Sequence, residues 1–444
     1  MQAAPGPRAL PVVGGMLQLR GDPLARIRAL RAAHGGFVRL GPLGPREVFL
    51  VTEPAAIRHV LLDAAKGFKK GLPAQRLRPV LGQGSLLLEG DVWRRRRRLV
   101  QPAFHRQKIA TLAAAFVDGA DAMIERWRPA IDGGAALDAR DEMLRLTMGL
   151  TLRNMFRADE ADLRPLVDAW QVIYDELSRS RSRLVRLPAW VPSRTRDRTA
   201  AAMATVHGVL GELIRARAAG GDDGSVLAML VGARDEDGGP GLTEAELRDE
   251  VMTLFVGGYE TSSNALAFAL ALLAAHPDAA ARQRAEVDEV LGGRPPAAGD
   301  LAALPFTRAA LDEALRRFPP SWMITREALA DDEVAGYPVR RGAQLLISAY
   351  GVHHAPELWP DPDRYRPERF LPGAPERPRF SYMPFGGGPR ICLGDQYALT
   401  EMTLVLARLA QRLTFALAGG VRIEAQAHVG LRPRYPLRIV ARRR

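Results

Sequence analysis

A single cysteine, Cys392, constrains this chain more than any other residue. It stands in the run Pro384–Phe385–Gly386–Gly387–Gly388–Pro389–Arg390–Ile391–Cys392–Leu393–Gly394. Three consecutive glycines followed by a proline let the backbone turn tightly, lie close to something flat and direct its amide N–H groups inward. An apolar segment with helical spacing follows, from Leu393 to about Leu413, marked by Ala398, Leu399, Met402, Val405, Leu406 and Leu409. Cys392 therefore sits in a loop that enters a helix N-terminus, where amides and the helix dipole favour a thiolate. A lone cysteine is more often a small buried hydrophobe. The loop by itself leaves both readings open. One cysteine does exclude an intramolecular disulfide framework and any single-chain metal site with two cysteine ligands.

With 444 residues and 47% hydrophobic content, the chain can bury a large core. Neither a repeat period nor a long linker divides it, which predicts one integrated domain over residues 1–444. The formal charge of +12 is almost all arginine; the lysines are Lys66, Lys69, Lys70 and Lys108. Such a balance can signal nucleic acid, a membrane surface or an acidic partner. No zinc-finger spacing, basic–aromatic sheet motif or basic heptad region accompanies it, so nucleic acid is not expected. The first nineteen residues carry prolines and glycines and no long apolar run. They predict neither a membrane anchor nor a secretory signal, hence a cytoplasmic protein without stable membrane insertion.

Two short strands, Phe37–Leu40 and Val48–Val51, are predicted around a Gly/Pro turn, with a helix from Glu53–Pro54 to about Leu62. Residues 71–90 read as a loop with the apolar run Leu86–Leu87–Leu88. In a helix over Asp91–Val100, Trp93 and Arg97 share a face and suit a carboxylate or phosphate, while Arg95 and Arg96 point elsewhere. Helical patterning continues over Ile109–Ile131, Leu137–Phe156, Glu160–Leu177 and Ala200–Ala219. An amphipathic connector interrupts it at Ser178–Arg198. The longest helix is predicted over Leu242–Ala275, opened by a Thr243/Glu246 capping box. It contains Gly257–Gly258–Tyr259–Glu260–Thr261–Ser262. Two interior glycines, each unfavourable by about 1 kcal/mol, indicate either a close helix crossing or a polar notch. In a notch, Glu260 and Thr261 could relay protons. Glu313 and Arg316 form an i,i+3 pair in a helix ended by Phe318–Pro319–Pro320. The same spacing recurs at Glu125/Arg128, Glu142/Arg145, Glu176/Arg179, Glu212/Arg215 and Glu376/Arg379, where solvated pairs are the plainer reading. Strands are expected at Asp332–Val339, Ala343–Ser348 and over Leu413–Val440.

Taken in order, these motifs resemble the cytochrome P450 family of heme-thiolate monooxygenases over nearly the whole length. Phe385, Gly388, Arg390, Cys392 and Gly394 meet the heme-loop pattern Phe-x-x-Gly-x-Arg-x-Cys-x-Gly. Gly258–Ser262 is similar to the oxygen-activation motif of the long central helix. Glu313 and Arg316, with Arg369 in Pro367–Phe370, match the family's structural triad. Trp93 and Arg97 match its propionate-contacting Trp-x-x-x-Arg.

The resemblance implies a mainly α fold with a smaller β-rich part, a long central helix over the heme and the cysteine loop beneath it. The implied cofactor is heme b, with Cys392 as the axial ligand of its iron, and Arg97, Arg326 and Arg390 pairing with propionates. Thiolate ligation favours O–O cleavage. The implied reaction consumes O2 and two electrons and inserts one oxygen atom. Thr261 would steady the bound oxygen or a water, and Glu260 would feed protons. Leu86, Leu87, Phe255, Val256, Gly257, Trp322, Met323, Ile324 and Val429 fall in substrate-contacting regions and are mostly apolar. They imply a lipophilic small molecule such as a terpenoid or fatty acid. A basic face with Arg95, Arg96 and Arg106 would suit an acidic ferredoxin or flavodoxin, supplied with its reductase as a separate partner. A peroxide-driven peroxygenase and a non-catalytic heme sensor are the alternatives. The acid/Thr pair speaks against the first.

Overall fold

The computed structural model describes residues 3–10, 14–158, 163–180, 193–221, 223–235 and 239–444. Most of the expected connector, residues 181–192 with Trp190, lies outside them. The backbone groups into two compact units. One contains residues 1–76, 116–143 and 261–444, and the other residues 77–115 and 144–260.

The first unit carries the sheets. Its five-stranded sheet runs in the order Phe37–Leu43, Arg46–Val51, Gln344–Ile347, Ile324–Ala328, Phe68–Lys70. The first two strands pair antiparallel as the alternation of apolar residues predicts, with Phe37 opposite Val51 and Val38 opposite Leu50. A register irregularity falls between Arg39 and Gly41, and Gly41 takes φ +108°, a conformation side chains disfavour. Arg46–Val51 then pairs parallel with Gln344–Ile347, a long-range contact that closes the N-terminal third onto the C-terminal half. Against this sheet packs a cluster including Phe49, Ile57, Leu61, Leu345 and Val352 that continues to Phe380 and Met383. The sheet core thus reaches the residues just before the cysteine loop. The predicted helix after Glu53 is present in two styles, α from Pro54 to Arg58 and π from His59 to Asp63.

Helices of this unit include Pro277–Leu291, Pro305–Arg317 and Asp395–Arg412. The last begins directly after the cysteine loop and buries every residue from Leu399 to Ala410.

The second unit is helical. Gly90–Val100, Arg164–Ser180, Arg194–Gly220 and Val226–Gly232 belong to it, together with parts of the helices Arg106–Arg126, Ala139–Phe156 and Glu244–Ala275. The longest, Glu244–Ala275, runs unbroken and supplies residues to both units, divided after Glu260. Its start is the predicted capping box: Thr243 N–H donates to the Glu246 carboxylate at 3.0 Å, and Glu246 N–H to the Thr243 hydroxyl at 3.3 Å. Among the described residues no single helix is long and apolar enough to cross a membrane.

Candidate active site

The cysteine loop is fixed by its own backbone and by the sheet core. Cys392 N–H donates to the Phe385 carbonyl at 3.0 Å, Ile391 N–H to that of Gly388 at 3.1 Å, and Gly386 N–H to that of Met383 at 3.0 Å. Gly388 has φ +68°, and a Cβ there would stand 1.8 Å from the Leu61 carbonyl oxygen. A Cβ on Gly387 would come within 2.3 Å of the Phe380 ring. These two glycines are therefore required by packing against the π-helical turn and Phe380, a reason the sequence does not announce. Held this way, the loop leaves Cys392 exposed, with Phe385, Arg390 and Gly394 partly exposed around it.

The donor set fits a thiolate-ligated heme. Cys392 offers one soft sulfur. Among the described residues no group of three His, Cys, Asp or Glu side chains could hold an ion by itself. A metal at Cys392 would need a carrier supplying its remaining ligands, which a porphyrin does. The same unit holds guanidinium groups suited to the carrier's carboxylates. Arg326 sits on the strand Ile324–Ala328, 7% exposed, and donates to the Thr325 carbonyl at 2.9 Å. Arg390 stands two residues before the cysteine.

Along the central helix, exposure changes sharply. Gly257 and Thr261, one turn apart, are exposed, whereas every residue from Ser262 to Ala274 is buried. A Cβ on Gly257 would meet no heavy atom within 4 Å among the described residues. One on Gly258 would be at an ordinary 3.5 Å from Thr151. A close helix crossing therefore does not explain these glycines, which lie within the continuous helix Glu244–Ala275. Glu260 is buried and accepts a hydrogen bond from the Tyr174 hydroxyl. Tyr259 beside it is held by Trp170, whose indole N–H donates to its hydroxyl, and by the Thr147 hydroxyl, which donates to its carbonyl at 2.8 Å. In the sequence Trp170 and Tyr174 fall in a stretch, Trp170–Trp190, that the family resemblance places near substrate, but their ties to Tyr259 and Glu260 had no signal there.

The helix Gly90–Val100 matches its predicted span to within a residue, with Trp93 and Arg97 both half-buried. Arg96 corrects the expectation of a basic docking face. It is 2% exposed, bonded to Glu246 at 2.6 Å and 3.6 Å from Glu250. Arg95 is turned to Asp235 at 3.4 Å and the Pro240 carbonyl at 2.7 Å. Of the three arginines, Arg106 is exposed.

The apolar candidates separate by burial. Leu86 is 42% exposed and Val429 38%, and Val256, Met323 and Ile324 are half-buried. Leu87, at 1%, is buried, as are Phe255 and Trp322. Phe255 packs between Trp170 and Tyr259, with ring centroids at 6.2 and 5.3 Å. The Trp322 indole donates to the His428 carbonyl at 3.1 Å. These three side chains are packed into the core.

Glu313 and Arg316 form a two-bond pair at 2.7 and 2.8 Å, and Arg369 approaches Glu313 at 3.3 Å. Arg316 also donates to the carbonyls of His353 and Pro362, and Arg369 to those of Pro360 and Asp361. Charge pairing and loop tethering meet in one buried network. A carboxyl with no counterpart in the sequence reading lies on the helix that follows the cysteine loop. Glu401, on the helix Asp395–Arg412, has no exposed surface, and burial pushes its carboxyl up to about 8, with the Ser262 hydroxyl acting against the shift. Its one sequence signal was a charge inside the apolar run Leu399–Leu406.

A heme-thiolate fold is what this combination of helices, sheet and cysteine loop defines, and comparison with known proteins agrees. The family model described as Cytochrome P450 matches residues 4–439. Cyclooctat-9-en-7-ol 5-monooxygenase of Streptomyces melanosporofaciens is 37% identical over 410 residues, covering 91% of this chain and 88% of that protein. Cyclooctatin synthase of the same organism is 36% identical over 442 residues, 98% of this chain and 94% of that protein. The crystal structure of the cytochrome P450DA heme domain superposes with a TM-score of 0.89 at 26% identity, covering 100% of this chain and 98% of that one. The chain belongs to the cytochrome P450 family. It is an oxidoreductase of the monooxygenase type, and its cofactor is a heme.

Proposed function

We propose that the chain inserts one oxygen atom from O2 into a lipophilic terpenoid, with electrons from a separate ferredoxin or flavodoxin and its reductase. The observation that carries the substrate class is the 37% identity, over 91% of the chain, to an enzyme named for oxidising cyclooctat-9-en-7-ol. The exposed apolar side chains Leu86 and Val429, with half-buried Val256, Met323 and Ile324, support it. A charge of +12 supports an acidic electron donor.

In this reading Cys392 holds the heme iron through its sulfur. The helix Asp395–Arg412, which begins just after it, favours a thiolate at its N-terminus, and Arg97, Arg326 and Arg390 with Trp93 would hold the propionates. The heme, when bound, supplies the reductive activation of O2. Thr261 offers the hydroxyl that the exposed stretch of the central helix presents, and it orients the proton delivered there. Glu260 carries that proton on its carboxyl, positioned by Tyr174. Gly257 leaves room beside Thr261 for the reacting group. The Glu313–Arg316–Arg369 network holds loops and takes no part in the chemistry.

The test is a titration of the ferric protein with cyclic terpene hydrocarbons and alcohols, cyclooctat-9-en-7-ol among them. A low-spin to high-spin shift identifies ligands, and turnover with a reconstituted ferredoxin system follows. A set that binds only fatty acids or small polar acids overturns the substrate class. Cys392→Ser is expected to lose the red-shifted Soret band of the reduced CO complex, and its retention would refute ligation by this residue. Thr261→Ala is expected to keep heme and ligand binding while diverting electrons to hydrogen peroxide. Unchanged product per electron pair would remove Thr261 from the mechanism.

A further inference from the structure

Within the second unit, the loop that carries Leu86 is attached to the central helix more elaborately than a surface loop requires. Glu250 has no exposed surface. Its carboxylate accepts from the Ser85 backbone N–H at 2.8 Å and from the Ser85 hydroxyl at 2.5 Å, with the Arg96 guanidinium 3.6 Å away. One residue earlier on the same helix, Asp249 accepts from the Gln83 N–H at 2.7 Å. Arg96 donates back to the Gln83 carbonyl at 3.4 Å and to Glu246 at 2.6 Å. Two glycines make the approach possible. A Cβ on Gly84 would stand 1.9 Å from the Thr253 hydroxyl and 2.7 Å from the Asp249 carbonyl, and one on Gly82 2.3 Å from the Asp249 carboxylate.

The tether has a direction. Leu87 and Leu88 N–H groups both donate to the Gly84 carbonyl, at 2.9 and 3.2 Å, so Ser85 and Leu86 form the apex of a tight turn. Ser85 points into the buried carboxylate, Leu87 and Leu88 are buried, and Leu86 alone of the three leucines is exposed. Glu250 thus fixes the residue immediately before the one apolar side chain the turn presents outward. Through Arg96 the same carboxylate also touches the helix Gly90–Val100, one residue from Arg97.

We infer that Glu250, Ser85 and Arg96 form a positioning clasp that sets where Leu86 stands and so which ligand shapes the enzyme admits. The inference rests on the proposed reading of Leu86 as a substrate contact. The geometry favours a clasp over ordinary loop anchoring because two carboxylates, a buried guanidinium and two close-packed glycines converge on the short stretch of residues 82–88. An anchor for stability alone would be better served by apolar contacts, since each buried charge carries a desolvation penalty.

The test uses the heme-loaded enzyme and two heme-binding probes, imidazole and the bulkier 4-phenylimidazole, read by their Soret shifts. Ser85→Ala and Glu250→Gln are the variants, the first being mild enough to fold whatever the second does. Amide hydrogen exchange over residues 83–88 is expected to rise about tenfold in both, the scale of one lost hydrogen bond to a carboxylate. The ratio of 4-phenylimidazole to imidazole dissociation constants should change in parallel, with imidazole affinity and the reduced CO spectrum retained. Faster exchange with an unchanged ratio overturns the selectivity role. Unchanged exchange overturns the clasp itself. Absence of any azole shift in the unsubstituted enzyme would overturn the heme-site reading beneath it, a result separable from both.

Discussion

Glu313 and Glu401 belong to the same compact unit and neither has any exposed surface, yet their surroundings differ completely. Glu313 is enclosed by Arg316 and Arg369, and its Oε1 also accepts from the Arg366 N–H at 3.0 Å. Glu401 has no counter-ion among the described residues, only the Ser262 hydroxyl working against the shift, and burial raises it to about 8. The first is an ion pair sealed into the fold; the second is an acid that stays protonated at neutral pH. Burial alone does not fix a carboxylate's charge. The number of donors aimed at it does.

Breaking the paired site should give the largest effect. Glu313→Ala leaves the Arg316 guanidinium, with no exposed surface, facing only carbonyls. The expected loss is about 3–5 kcal/mol, read by chemical unfolding and by heme retention on purification. Because Arg316 also tethers the His353 and Pro362 carbonyls, the loops before the cysteine should loosen with it. Arg369→Ala removes the longer, 3.3 Å arm of the network and two carbonyl bonds, and should be milder, about 1–3 kcal/mol. A loss below about 1 kcal/mol for Glu313→Ala would show that the pair is replaceable.

Glu401 sharpens the contrast through its pH dependence. Its carboxyl is near 4.5 when unfolded and about 8 in the fold. Between those values the folded chain holds a proton that the unfolded chain has released, so this group's contribution to stability falls as pH rises. The fall is about 1.4 kcal/mol per pH unit and levels off above the folded value. Glu401→Gln keeps the shape without the titration. Its melting temperature relative to the unsubstituted protein should therefore be near parity at pH 5, climb through pH 6 and 7, and be highest at pH 8 and above. A difference independent of pH would mean that Glu401 is charged and paired.

The two glutamates also mark what the sequence could disclose. Glu313 was legible because Arg316 lies one helical turn away and Arg369 falls in a recognisable Pro–Glu–Arg–Phe run. The loop around Cys392 was legible as a tight turn into a helix because its glycines and the following helix are contiguous. The strands at Phe37 and Val48, the capping box and the helix around Trp93 and Arg97 follow local rules of period and cap. Contacts set by long-range packing were not legible. The five arginines Arg94–Arg98 look alike in sequence, but Arg96 turns inward because Glu246 and Glu250 await it about 150 residues later. Gly388 reads as a flexible turn residue, whereas the Leu61 carbonyl explains why nothing larger fits. Leu86 and Leu87 were equivalent until the turn at Gly84 buried one and exposed the other.

The smallest effect should come from a pair with the same spacing and none of the surroundings. Glu125 and Arg128 repeat the Glu-x-x-Arg pattern and form a contact, but their side chains are 53% and 55% exposed. Water screens the attraction and solvates either partner left alone, while holding two long side chains together costs rotamer freedom. Glu125→Ala should therefore change stability by no more than about 0.5 kcal/mol, and a double-mutant cycle with Arg128→Ala should give a coupling of similar size that shrinks further in high salt. The identical cycle at Glu313 and Arg316 should give several times that coupling and little salt dependence, because no ions reach it. Equal couplings at the two sites would mean that three-residue spacing, and not enclosure by a second arginine and four backbone carbonyls, makes the buried network strong.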